Sequence, residues 1–188
     1  MSPRRAARCP RCRVPRPACY CAAIPTLATR TRLLTVRHCS ERAKTSNTGR
    51  LLADAVPGSV LVDHGLAGEP TDLTPLLGPD AWVLYPGGGA PPPRVGTLVV
   101  LDGSWSQVRG MRWRISPLAS LPSFSLPAPE AAPLRARRAP GPDRLATIEA
   151  VAAALDLLGE PEPAAGLRAL FAVMAGRLRD LRGFDLPP

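Results

Sequence analysis

Lysine is all but missing from this chain: Lys44 stands alone against 23 arginines. With 24 prolines and abundant alanine, that imbalance looks like the coding bias of a GC-rich genome. It explains arginine over lysine but not where the arginines sit. Long apolar runs are missing too. No stretch approaches the roughly 18 consecutive apolar residues of a membrane-crossing helix, and the arginine-studded start lacks the apolar region of a secretory signal. A soluble, cytoplasmic protein with no membrane partner is the expectation. Histidine is reduced to His38 and His64, isolated from each other, and ordinary structural roles are expected for both. Acids are scarce in one place: residues 1–50 hold Glu41 alone against 11 arginines and Lys44, a net +11, while residues 51–188 net −2. Such an N-terminal concentration of positive charge is expected where a phosphate backbone is contacted. No internal repeat is visible.

What is present begins with cysteine. At 188 residues the chain is sized for one domain with a full core and room for a small appendage. Four of its five cysteines fall in the appendage, as Cys9-Pro-Arg-Cys12 and Cys19-Tyr-Cys21. Two close pairs joined by the stiff Arg13-Val-Pro-Arg-Pro17 suit tetrahedral zinc, each pair gripping one edge of the tetrahedron. Two disulfides are the poorer reading in an intracellular chain, and the second pair argues against a lone redox Cys-x-x-Cys. Cys39 reads as a small buried residue. The division expected is a zinc-binding four-cysteine module over 1–28 and a main domain over 29–188.

In the main domain, hydrophobic runs predict strands at 32–37, 59–63, 81–85 and 97–101, with Phe124-Ser-Leu126 a fifth candidate. The fourth, Thr97-Leu-Val-Val-Leu101, is apolar throughout, as a central parallel strand buried on both faces is. Helices are predicted at 49–55 with a cap from Ser46, Asn47 or Thr48, at 104–114, at 145–158 ending on Gly159, and at 163–182. Leu167, Leu170, Phe171, Met174, Leu178 and Leu181 form one core stripe on the last. Residues 66–80 read as a loop or broken helical turn. The alternation predicts an α/β fold with a mainly parallel sheet.

Ligands of open α/β sheets bind beyond the carboxyl ends of strands. Three such ends here carry unusual residues: His38-Cys-Ser-Glu41, Tyr85-Pro-Gly-Gly-Gly89 and Asp102-Gly-Ser-Trp105. Together they outline one candidate pocket. Each has a plainer reading: Asp102 as a helix N-cap in competition with Ser104, Trp105 as a core anchor, and Arg135-Ala-Arg-Arg138 as a solvated surface. The glycines at 87–89 allow close backbone approach, but no helix pattern follows directly, so they are not a phosphate loop.

Taken in order, Cys-x-x-Cys with Cys-x-Cys, His38-x-x-Glu41, Asn47-Thr-Gly-Arg-Leu-Leu52, Leu84-Tyr-Pro-Gly87, Asp102-Gly-Ser-Trp105, Leu134-Arg-Ala-Arg-Arg-Ala-Pro140 and Thr147-Ile-Glu-Ala150 resemble the DTW-domain family from Cys9 to about Leu158. Each piece is weak alone; seven in order are specific. The chain departs at Ser104, where the family's name motif has threonine, at Leu134, where an aromatic is usual, and at Cys39, where a proline-like residue is common.

The resemblance implies a tRNA-uridine aminocarboxypropyltransferase, which places the 3-amino-3-carboxypropyl group of S-adenosylmethionine on N3 of a uridine. It also implies kinship with SPOUT-type knotted methyltransferases, hence a trefoil knot in the C-terminal half, which ordinary topology rules would not suggest. The implied cofactor residues are Tyr85, Pro86, Gly87, Leu101, Ser104, Trp105, Thr147 and Glu149. Asp102 is the choice for the carboxylate that takes the N3 proton; as a weak base it needs partial desolvation, or else acts by orienting the N3–H. The implied tRNA contacts are Arg11, Arg13 and Arg16 beside the structural zinc, Lys44 and Asn47, and Arg135, Arg137 and Arg138. The alternatives are the same chemistry on ribosomal RNA, a SPOUT-like methyltransferase, and a non-catalytic zinc-ribbon RNA-binding protein. The uridine, the tRNAs, the cofactor's orientation and the oligomeric state, a monomer among the options, stay open.

Overall fold

A computed structural model describes residues 7–127 and 145–182. Five strands, β1 (Arg32–His38), β2 (Val60–His64), β3 (Ala81–Gly89), β4 (Thr97–Asp102) and β5 (Ser123–Phe124), form one sheet in the order β2-β1-β4-β3-β5. Every pairing is parallel. The α/β fold with a parallel sheet is therefore as the sequence predicts. β4 sits at the centre, and all six of its residues are buried, which is why its sequence is apolar without alternation.

Successive β4 residues face opposite layers. Leu98 and Val100 enter a core with Leu33, Phe124 and the inner faces of α1 (Gly49–Ala55), α4 (Thr147–Leu157) and α5 (Pro161–Arg182). Val99 and Leu101 enter the other with Leu34, Val36, Val83 and residues of α2 (Trp105–Arg114) and α3 (Ser116–Ser120). The result is three layers, helix on both faces of the sheet. The predicted α5 stripe is buried at Leu167, Leu170, Phe171, Met174 and Leu178, with Leu181 packed at its edge. Cys12, Val14, Ala18 and Tyr20 of the N-terminal segment belong to the first of these cores, alongside Leu51 and Phe171.

Two features are absent from the sequence reading. β3 does not close at Pro86 but continues to Gly89, with a register shift between Leu84 and Gly89 where β5 pairs with it. A Cβ on Gly88 would stand 2.7 Å from the Phe124 backbone, so glycine is what lets β5 lie there. Glu160, 6% exposed, joins the start of α5 to the start of β1 by accepting from the Arg30 N–H (2.6 Å), the Thr31 N–H (3.1 Å) and the Thr31 hydroxyl (2.6 Å). Cys39 is half-buried, its thiol donating to the Gly65 carbonyl at 3.0 Å, rather than fully buried as expected.

Candidate functional site

The strand order reverses at β1: β2 lies on one side of it and β4 on the other, so the carboxyl ends of β1 and β4 are adjacent, with Arg37 opposite Asp102. This is a topological switch point, where α/β sheets bind ligands. A cavity of about 500 Å³ opens beside it, within the range that holds small molecules. Its walls are Leu84, Tyr85 and Pro86 from β3, Val100 and Leu101 from β4, Gly103, Trp105 and Val108 at the start of α2, Ser125 to Pro127 after β5, and Leu145, Thr147 and Ala150 at the start of α4. Five residues expected at a cofactor, Tyr85, Pro86, Leu101, Trp105 and Thr147, thus share one cavity. Trp105 is 42% exposed there, which removes the core-anchor reading.

Three of the expected cofactor residues do not line the cavity. Ser104 is the N-cap of α2, its N–H donating to the Gln107 side chain at 2.8 Å; Asp102 is therefore not the cap. Glu149 accepts from the Ala146 N–H at 2.8 Å, closing the first turn of α4. Gly87 has a φ of 80° and lies in β3 just past Pro86. His38 binds the Ser40 hydroxyl through Nδ1 at 2.9 Å and also stays outside the lining.

Asp102 itself is 5% exposed and lies behind the cavity wall. One carboxylate oxygen accepts from the Asn47 amide at 2.5 Å, the other from the Thr147 hydroxyl at 2.6 Å. Asn47, expected among RNA contacts, is 3% exposed; besides holding Asp102 it accepts the Arg50 N–H at 3.1 Å, capping α1. Gly49 presses on the same carboxylate: a Cβ there would stand 2.6 Å from Oδ2. Burial pushes the Asp102 carboxyl above its ordinary range; the Thr147 and Asn47 hydrogen bonds oppose that, the Glu41 charge adds to it and Arg37 opposes it. Arg37 is held by a bidentate bond to Asp63 at 2.7 and 3.1 Å.

The four cysteines of the N-terminal segment converge. Cys9 and Cys21 sulfurs lie 3.6 Å apart, as do those of Cys12 and Cys19, and all four fall within 4.8 Å of one another. Disulfides need about 2.05 Å, whereas four thiolates at about 2.3 Å from one zinc stand about 3.8 Å apart. The set can hold a metal ion such as zinc. The Cys12 and Arg11 N–H groups draw the Cys9 thiol down to about 6, while burial pushes the Cys12 and Cys21 thiols up; the convergence of the four sulfurs is what suits a metal ion. Arg13, the one non-glycine with positive φ among the described residues (62°), makes the turn between the pairs.

Beside this knuckle a groove of about 610 Å³ is lined by Arg8, Arg13 and Lys44, with Cys9, Pro10, Ala43, Thr45 and Ser46. It unites two expected RNA contacts and adds Arg8, which nothing in the sequence distinguished from the other N-terminal arginines. Arg11 instead pairs with Asp54 at 3.4 Å, and Lys44 with Glu41 at 2.5 Å. Arg16 is exposed. Arg135, Arg137 and Arg138 lie outside the described residues.

A three-layer parallel α/β domain with a cavity at the carboxyl ends of β3 and β4 and a four-cysteine knuckle at one flank defines the class. A family model described as DTW domain matches residues 6–179. The chain belongs to the DTW-domain family. No solved structure matches it. Among the described residues no helix is long and apolar enough to cross a membrane.

Proposed function

We propose that this protein transfers the 3-amino-3-carboxypropyl group of S-adenosylmethionine to N3 of a uridine in tRNA, releasing methylthioadenosine. Membership of the DTW-domain family is consistent with RNA modification. The observation that carries the finer reading is the Asp102–Thr147 pair at the cavity wall. Because the Thr147 hydroxyl gives its proton to Asp102 at 2.6 Å, what it offers the cavity is a lone pair, an acceptor for an N–H. Asp102 then acts through Thr147: as the N3 proton passes to the Thr147 oxygen, the hydroxyl proton moves to Asp102, whose burial favours the protonated form. This keeps Asp102 as the final proton acceptor while explaining why it is not itself exposed.

The cavity fits the cofactor by size and lining. When bound, S-adenosylmethionine supplies an alkyl group on a sulfonium centre that nitrogen can attack. Tyr85 and Trp105 offer aromatic faces to a flat base and to a cation, and the shape of the Leu101–Trp105 turn would choose which carbon faces the nucleophile. Four thiolates in a compact set suit structural zinc. The trefoil knot of the SPOUT type belongs to the same reading; its C-terminal threading involves residues outside the described ones. On this reading Arg8, Arg13 and Lys44, which line one groove, would contact the tRNA backbone, and replacing one phosphate contact should lower the salt slope of binding by about 0.7 to 0.9.

Purified protein is incubated with unmodified tRNA transcript and S-adenosylmethionine labelled in either the carboxyl or the methyl carbon. Carboxyl label alone should enter RNA, and Thr147→Val and Asp102→Asn should lose it while Thr147→Ser keeps it. Methyl label would turn the cofactor the other way, and no label in either form would direct attention to ribosomal RNA or to an RNA-binding role.

A further inference from the structure

Two of the chain's three tryptophans lie open on one helix. Trp105 is 42% and Trp113 60% exposed. They stand eight residues apart on α2 with Arg109 midway, and at about 100° per residue the three share an arc of about 80°. The far side of α2 sends Met111 into the core, where Ile115, just past the helix, joins it and Val108 packs at the edge. Packing therefore does not account for Trp113. Its ring is nonetheless held: the Arg112 guanidinium covers it at 4.9 Å, and Arg112 is itself 4% exposed, donating to the Leu121 carbonyl at 3.1 Å. An exposed indole pinned from one side is a preformed flat surface, which costs a stacking partner little ordering entropy.

The surroundings carry charge of one sign. Residues 103–127 contain Arg109, Arg112 and Arg114 and no acid. Arg112 Nε and Nη1 make no hydrogen bond, its guanidinium lying against the Tyr85 ring at 5.8 Å as well as Trp113, and no carboxylate among the described residues pairs with it. Arg109 and Arg114 are exposed. Pairing this face with a second copy of itself across a two-fold axis would set like charges together. A polyanion with flat bases meets both the charge and the rings.

We propose that Trp105, Arg109 and Trp113 form a stacking platform for unpaired RNA nucleotides, with Trp113 receiving a base and Arg109 a phosphate. Trp113 lies about 12 Å along the helix from Trp105 at the cavity mouth, so its base is a few nucleotides from whatever enters the cavity. That the entering nucleotide is the uridine to be modified rests on the function proposed above; that the stripe binds RNA does not.

The test measures binding apart from transfer, using anisotropy of fluorescein-labelled unmodified tRNA and of a labelled single-stranded oligoribonucleotide. Trp113→Ala should weaken both by about 5- to 150-fold, the worth of one stacked base. Trp113→Phe should recover most of that, Arg109→Ala should lower the salt slope by about 0.7, and calorimetry should show S-adenosylmethionine affinity unchanged in all three. Where transfer is observed, KM for tRNA should rise with kcat held. Wild-type tRNA affinity in Trp113→Ala overturns the proposal, as does equal loss in the Ala and Phe variants. Sedimentation showing that Trp113→Ala splits a dimer without changing tRNA affinity also overturns it and gives the face to a second copy. Loss of binding by Trp113→Ala in a protein that transfers neither label to tRNA sustains the platform and refutes the tRNA transferase.

Discussion

Replacing Gly49 by alanine should destabilise this protein although it adds a helix-favouring residue. The new Cβ would stand 2.6 Å from Asp102 Oδ2 and 2.8 Å from its Cγ. Ordinary contact begins near 3.4 Å, so something must yield by about 0.8 Å. The carboxylate cannot do so freely, since Asn47 and Thr147 hold it at 2.5 and 2.6 Å. Displacing it gives up a charge-assisted bond worth about 1.5–3 kcal/mol, against which alanine in a helix returns at most about 1 kcal/mol. The net loss is about 0.5–2 kcal/mol, or a drop in Tm of about 1–8 °C for a chain of this size. Gly176 supplies the comparison: it sits in α5 with nothing within 4 Å of a built Cβ, so Gly176→Ala should raise Tm by about 2–4 °C. Scanning calorimetry of both variants decides. A Gly49→Ala protein at or above wild-type Tm would refute the account, and so would the absence of relief when Asp102→Ala is combined with it.

Other measurements bear on the same structure. Burial raises the Asp102 carboxyl above its unfolded value near 3.9, so the folded state binds that proton more tightly and the residue's stabilising contribution fades as pH rises through the raised value. Asp102→Asn can still accept from Asn47 and donate to the Thr147 oxygen. Its stability relative to wild type should therefore climb as pH rises above about 4, as urea melts at a series of pH values would show. Cys12 is 1% exposed and shares a core with Tyr20 and Phe171; Cys12→Ser should lower the metal content found by elemental analysis below one equivalent and reduce stability by several kcal/mol, about the worth of a structural site. An unchanged metal content would end the four-cysteine assignment. Glu160→Ala leaves the Arg30 and Thr31 donors unpaired and should cost about 2–4 kcal/mol; a loss under about 1 kcal/mol in denaturant titration would mean the junction is dispensable.

The sheet was legible because its signals are local. The unbroken Thr97–Leu101 run could only be a strand buried on both faces, and the α5 stripe repeats at helical spacing. The cysteine spacing likewise needs no partner outside residues 9–21. What was illegible is long-range. Nothing near Asp102 announces that its oxygens belong to Asn47 and Thr147, 55 and 45 residues away, so Asn47 read as a surface contact and Asp102 as an open base or a cap. Pro86-Gly-Gly-Gly89 read as a strand's end because glycine and proline usually punctuate, whereas here the missing side chains admit Phe124. Trp105 had two readings, a core anchor, since burial is the ordinary fate of a large ring, and a cofactor contact by resemblance; nothing local decides between them, whereas its exposure in the cavity wall does.

The N-terminal knuckle and helix α5 share one core, with Tyr20 and Val14 in the same cluster as Phe171 and Met174. The segment synthesised before the sheet can rest on α1, where Arg50 bonds the Cys12 carbonyl and the Tyr20 hydroxyl, but its seat is completed only by a helix synthesised after the sheet. Closure of the knuckle and docking of α5 thus complete one core, and a nascent or truncated copy lacking either segment is left with the same open seam. For quality control in the cell, damage at the cysteines and loss of α5 would look alike.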